Sequence, residues 1–361
     1  MSRIEEMLKD KKGARIDYDE ILKKCPWIVE KNRYCVLSPD SDGLLCGLFM
    51  AKQLDWKIVG FYDDKVCLIN KDYTEKDIVF LDGEIFRKQI KSMGHHMVLY
   101  NKNSIPSTWN NFDSCIQPNI IRNYDGAHDF RLKYPLATIH MLTSIVAYKH
   151  REIKLPESAI PPLLFTDGVF MILFSYPENV LNWLHYLRID EEWNPMKHIF
   201  ENESYTVFEL MKEMNAFFRQ RDLLTVRGER GDRLKISDKA GNPCNIEAGT
   251  KDTKKISKDA KDRSCDFINI LGEATGWRFF GKDWDCWDNL KLYKFSKGDF
   301  VGKSKRLNNS SFSEMMSNMP LSWAMTSGNN IEYTIEDPDF LEINRKIKDY
   351  LNLVNTKNDT E

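Results

Sequence analysis

A chain of 361 residues with 42% apolar and 29% charged side chains has the composition of an ordered globular protein and excludes a disordered or fibrous one. At that length a single core gives way to two domains. The formal net charge of −2 excludes a uniformly basic nucleic-acid coat and leaves room only for a local basic groove.

Residues 1–30 carry the spacing of one or two amphipathic helices. The next stretch alternates short apolar runs with helical patterns: strands over 34–37, 57–62, 77–81 and 97–100, and a helix over 43–54. Strands alternating with helices predict βαβ units and a mostly parallel sheet flanked by helices, an α/β fold, over residues 31–218. Helical spacing returns at 133–150. Pro156, Pro161 and Pro162 punctuate the approach to Thr166-Asp167-Gly168, and helical pattern continues to about 218. Residues 219–263, rich in Arg, Asp, Gly and alternating Lys and Asp, read as a charged linker or surface loops whose charges are solvated rather than in contact with nucleic acid. Residues 264–361 read as a smaller α+β domain, aromatic from Trp277 to Phe295, with a final helix over 337–353 and a frayed end over 355–361. Eight scattered cysteines, none in a CxxC pair, exclude a zinc ribbon and a disulfide scaffold. The charged start Met1-Ser2-Arg3-Ile4-Glu5-Glu6 has no apolar stretch of a signal peptide, and no run of about 18 apolar residues occurs. The expectation is a cytoplasmic protein with no membrane partner.

Four clusters carry chemistry. Ser38-Pro39-Asp40-Ser41-Asp42-Gly43 follows the first strand, and ligands in open α/β sheets gather at the carboxyl ends of strands. Carboxylates at i and i+2 of such a turn each aim an oxygen at a divalent cation, although Asp and Ser also suit any strand-to-helix turn. Asp82-Gly83-Glu84 ends the strand over 77–81; Asp82 is placed to bridge metal ions or to cap a helix. Gly94-His95-His96 precedes the strand predicted over 97–100, and imidazole is a common ligand for transition metals. Asp167 lies in an acidic turn after an apolar segment.

In this order the clusters resemble the DHH phosphoesterase family, which includes RecJ-type exonucleases, nanoRNases, cyclic-dinucleotide phosphodiesterases and family II inorganic pyrophosphatases. The resemblance spans about residues 33–170. It implies metal ligation by Asp40, Asp42, Asp82, His95 and Asp167, with Mn2+ or Mg2+ as cofactor. Asp40 and His96 fall on catalytic positions, His96 as the phosphate-contacting histidine, and Gln117-Pro118-Asn119 resembles the Asn-Pro stretch that follows the DHH triplet. The implied activity is hydrolysis of a phosphodiester in single-stranded DNA or RNA or a short oligonucleotide, by a metal-activated water. Arg122 and Arg131, near the apparent mouth, are expected to clamp phosphate. A core or helix-surface role is expected for His128 and His140.

Two family positions differ. Ser38 stands where the first motif has a histidine, and Gly94 where the triplet opens with an aspartate, a position whose loss commonly costs about 10–100-fold. No GGGH-type motif occurs in residues 230–361. These departures keep a rival open, a non-catalytic DHH-fold module that binds nucleic acid or a protein. A further alternative is a haloacid-dehalogenase-like phosphatase, with Asp40 as nucleophile and Asp42 as general acid. The aromatic cluster, interleaved with Arg278, Lys282, Lys291 and Lys294, reads first as the core of a small domain and second as a stacking platform for bases.

Overall fold

In a computed structural model of the chain, the described residues are 3–11, 13–74, 77–226 and 232–335. The helix and frayed end expected beyond residue 336 lie outside them.

The fold is α/β. Among the described residues, nine strands form one sheet: β1 (Tyr34–Leu37), β2 (Lys57–Tyr62), β3 (Val66–Asn70), β4 (Ile78–Leu81), β5 (Lys91–Met93), β6 (Cys115–Ile116), β7 (Ile246–Ala248), β8 (Lys254–Ile256) and β9 (Leu290–Lys294). Their order is β6-β5-β4-β1-β2-β3-β9-β8-β7. The half from β6 to β2 is parallel, and the half from β2 to β7 antiparallel. Three further strands, β10 (Ser296–Phe300), β11 (Ser322–Ser327) and β12 (Asn330–Ile335), make a smaller antiparallel sheet.

The central parallel strands β1 and β4 are apolar along their whole length because both faces are covered. In β1, Cys35 and Leu37 face the main core while Val36 joins a cluster on the opposite face; Val79, Leu81 and Phe80 of β4 divide the same way. The main core also holds Leu44, Leu45 and Leu48 of the helix Ser41–Leu54 and Ile139, Leu142 and Ile145 of the helix Thr138–Lys149. β1 pairs β2 on one side and β4 on the other. The chain reverses its order across the sheet there, so the carboxyl ends of β1 and β4 form the crevice where such folds place ligands.

Two elements differ from their expected form. Residues 97–100 form no strand, and among the described residues their one ladder contact is a bridge from Leu99 to Asp125. Met97, Val98 and Leu99 are apolar because they pack with Phe312, Trp323 and Met325 under the smaller sheet. The strand of this region is β5, whose Lys91, Ser92 and Met93 carry no β pattern and are held by pairing with β4. His95 and His96 therefore follow a strand end, as Asp40 and Asp82 do. Residues 219–263, expected as linker, contain the end of the helix Val207–Asp222, strands β7 and β8 of the main sheet and the start of the helix Lys258–Thr275. Of their sparse apolar residues, Leu234, Ile236, Ile256 and Ala260 are buried, while the charges of β7 and β8 are exposed or half-buried, Lys255 pairing with Glu247 at 3.3 Å.

All eight cysteines are free thiols. Trp277, Trp284, Trp287 and Tyr293 are buried, which gives the aromatic cluster a core role; Phe280 is half exposed. One helical run, Glu157–Ser175, has the length and hydropathy to cross a membrane, but half of it is buried in the protein and its backbone breaks at Asp167.

Candidate metal centre

Asp40 and Asp42 stand at the start of the helix Ser41–Leu54. Asp40 is its N-cap, with Oδ1 accepting from the Gly43 amide at 3.3 Å, one of the orphan donors of a helix start. Residue 43 must be glycine, since a Cβ there would lie 2.1 Å from the Ser38 carbonyl oxygen. Asp42 points inward and is fully buried. Its Oδ2 accepts from the Thr138 amide at 2.7 Å and its Oδ1 from the Ile139 amide at 3.0 Å, so the carboxylate binds the positive end of a second helix.

Asp82 follows β4 and Asp167 follows the apolar helix Ile160–Phe165. Both have left-handed backbone, with φ of 55° and 53°. Asp tolerates this region better than most residues, and strained positions of this kind cluster at functional sites. The turn throws each carboxylate towards His95. Asp42 Oδ2 and Asp82 Oδ1 lie 3.9 and 3.8 Å from His95 Nδ1, and Asp167 Oδ2 lies 3.5 Å from Nε2. Ligand atoms of Asp42, Asp82, His95 and Asp167 all fall within 4.8 Å of one another; Asp82, His95 and His96 form a second, overlapping group.

Thr138 was not anticipated from sequence. Its hydroxyl donates to Asp82 Oδ1 at 2.8 Å and lies 2.9 Å from His95 Nδ1. With its proton committed to Asp82, the oxygen accepts from Nδ1–H, which leaves the lone pair on Nε2. That is how partners around a metal-binding histidine select its tautomer.

The electrostatics suit a cation. Burial, together with the charges of Asp42, Asp40 and Asp167, holds the Asp82 carboxyl well above the usual range. Desolvation in the cleft, with Asp42 and Asp40, does the same to Asp167. Asp42 is raised first by burial, against which the Ile139 amide works. Burial, and next the neighbouring His96, keep His95 neutral, the form that ligates. Three carboxylates and one neutral imidazole fit a divalent ion that takes oxygen and nitrogen donors.

His96 faces a different partner. Its ring lies 4.1 Å from that of His95, tilted by 33°, and its Nδ1 lies 3.5 Å from Glu84 Oε2. Burial lowers its pKa, but the hydrogen bond and charge of Glu84 outweigh that and raise it to about 9. Glu84, also not anticipated, accepts from the backbone amides of His96 and Met97. The signal for it was its place two residues after Asp82 at a strand end.

Other predicted residues lie elsewhere. Arg122 does not face the carboxylates: its guanidinium sits 4.4 to 5.0 Å from the rings of Tyr124, Trp183 and Tyr186 and bonds Asn182. Arg131 is exposed on a short 3-10 turn. Neither lines a cleft that reaches Asp40. His128 pairs with Asp125 at 2.8 Å. His140 is buried in its own helix turn, Nδ1 accepting from the Ala137 amide. Asn119 supports the site from behind, its side chain bridging the His95 carbonyl and the Tyr134 amide.

Two clefts, of about 470 and 600 Å3, open on the cluster. The first is lined by Asp40, Asp82, Glu84 and His96, the second by Asp40 and Asp167, and Arg233 borders both. Comparison with protein families finds no match for the chain, and comparison with curated proteins finds none either.

Proposed function

We propose that this protein is a metal-dependent phosphodiesterase of the DHH type, acting on single-stranded nucleic acid or short oligonucleotides with Mn2+ or Mg2+. The observation that carries the reading is the convergence of Asp42, Asp82, His95 and Asp167, from four separate segments, on a volume the size of one ion. The imidazole in the set favours Mn2+ over Mg2+, which prefers oxygen donors. Bound there, a divalent ion supplies Lewis acidity and lowers the pKa of a coordinated water.

The chain's own groups then have distinct tasks. Asp42 and Asp82 are held in place by the helix start at Thr138, so they are oriented before any ligand arrives. His96, kept protonated by Glu84, presents a positively charged donor to a nonbridging phosphate oxygen, a charge-assisted bond. Asp40 takes a smaller part than the resemblance implies. Its Oδ2 lies 3.4 Å from Arg233 Nη2, so a guanidinium meets the charge that a second ion would meet, and Ser38 offers no imidazole beside it.

That pairing favours, as the second reading, a non-catalytic module that binds nucleic acid. The haloacid-dehalogenase reading is weaker, because Asp40 caps a helix and His95 sits within the acid cluster. The deciding experiment incubates the protein with Mn2+ and labelled single-stranded DNA, RNA and cyclic dinucleotides, beside Asp82→Asn. Cleavage by the wild type alone is expected. No turnover of any of them sinks the catalytic reading, and strand binding without turnover selects the second.

A further inference from the structure

The segment Arg233-Leu234-Lys235-Ile236-Ser237-Asp238-Lys239 crosses the wall of the 470 Å3 cleft. Leu234, Ile236 and Ser237 are buried, and the less buried Arg233, Lys235, Asp238 and Lys239 all line the cleft. From Arg233 to Ile236 the exposure alternates as in an extended chain, which sets Arg233 and Lys235 about 6.6 Å apart along one face; Lys239 lies beyond, in the turn that follows Asp238. The segment is pinned at three points. The Leu234 amide donates to the Pro39 carbonyl at 2.8 Å, Ile236 accepts from the Cys244 amide at 2.9 Å, and Lys65 Nζ donates to the Asp238 carbonyl at 3.0 Å. The first of these bonds ties it to the turn that carries Asp40. Arg233 sits where the two clefts meet.

Acids of the same cleft are already engaged by the protein. Asp63 accepts from the Val66 amide at 2.9 Å and from the Ser237 hydroxyl, and Asp238 from the amides of Ala240 and Asn242. Lys235 and Lys239 make no ion pair among the described residues. The two clefts share Asp40 and Arg233 beside the metal cluster, and a site that continues from one into the other suits a linear polyanion better than a compact one such as pyrophosphate.

We infer that residues 233–239 form a phosphate rail for the backbone of a single-stranded nucleic acid, with Arg233 beside the metal cluster and Lys235 and Lys239 holding the phosphates that lead away from it. The inference rests on the phosphodiesterase reading for its substrate class. A rail of this kind contacts phosphates and not base edges, so it binds without sequence preference.

The test is fluorescence anisotropy with labelled oligo-dT and oligo-dA in EDTA, over a salt series, comparing the wild type with Lys235→Ala/Lys239→Ala. For single strands each phosphate contact adds about 0.7 to the slope of log K against log salt. The double variant is expected to lose about 1.4 of that slope, equally for both sequences, with an unchanged thermal melt. Lys235→Arg/Lys239→Arg is expected to keep it. A slope unchanged in the alanine variant overturns the rail and leaves the nucleic-acid reading standing. A wild type that binds no strand, yet hydrolyses bis(p-nitrophenyl) phosphate with Mn2+, overturns the rail while the metal-dependent chemistry survives. Binding of inorganic polyphosphate but of no oligonucleotide overturns it too.

Discussion

The carboxylate of Glu84 occupies the space that a side chain at Gly94 would need: a Cβ there would lie 2.5 Å from Glu84 Cδ and 2.6 Å from its Oε2. A carboxylate is thus already present at this point, delivered from the end of β4. It holds the amides of His96 and Met97 and faces the His96 ring. Gly94→Asp is expected to destabilise by about 1–3 kcal/mol, because Glu84 must leave its amide partners to make room. Urea unfolding measures it. In the pair Glu84→Gly/Gly94→Asp the cost is expected to be less than the sum of the single changes, since one carboxylate again fills the space. Strict additivity would show that the two positions do not compete.

Thr138 links Asp82 to His95, and Thr138→Val keeps the shape while removing the hydroxyl. Mn2+ affinity, read by calorimetry, is expected to fall about 10–100-fold, with Thr138→Ser near the wild type. Undiminished affinity in the valine variant would refute the assignment of the His95 tautomer.

Asp82→Asn separates stability from ligation. Without metal the variant loses one of several crowded negative charges and is expected to gain roughly 1 kcal/mol or more. The wild type, in contrast, should gain about 2.7 kcal/mol when Mn2+ reaches a hundred times its dissociation constant, and Asp82→Asn should not. Thermal melts with and without Mn2+ settle both; a variant that melts lower without metal contradicts the crowding.

His140 sets an acid limit. Burial holds its pKa down, at about 4 against 6.5 for a free imidazole. The unfolded chain therefore binds a proton that the folded one refuses between those values. Stability is fully present above pH 6.5 and declines as pH falls towards 4, by about 3 kcal/mol in all. In His140→Gln the decline over this window should be shallower by up to about 1.4 kcal/mol per pH unit. Parallel curves for the two proteins would remove His140 as the cause.

What the sequence alone determined was whatever local pattern specifies. β1 and β2 are found at their expected limits, because β1 is apolar throughout and β2 from Ile58 onward, and a strand covered on both faces leaves little place for polar residues. The acids at their turns and the paired histidines were visible as residue types that a packed core excludes. Short β5 carries no such pattern, since a three-residue strand is made by its neighbour's hydrogen bonds and not by its own side chains. The charged stretch 219–263 concealed β7, β8 and the basic segment 233–239 for a related reason: short extended segments partly open to water bury too few side chains to show a pattern. Which acids meet was decided by tertiary structure alone. Asp42, Asp82, His95 and Asp167 converge because the sheet order brings β1 beside β4 and the helix at Thr138 reaches across to both. Glu84 takes up the space at Gly94 through the same packing, a contact between residues whose relation no spacing along the chain expresses.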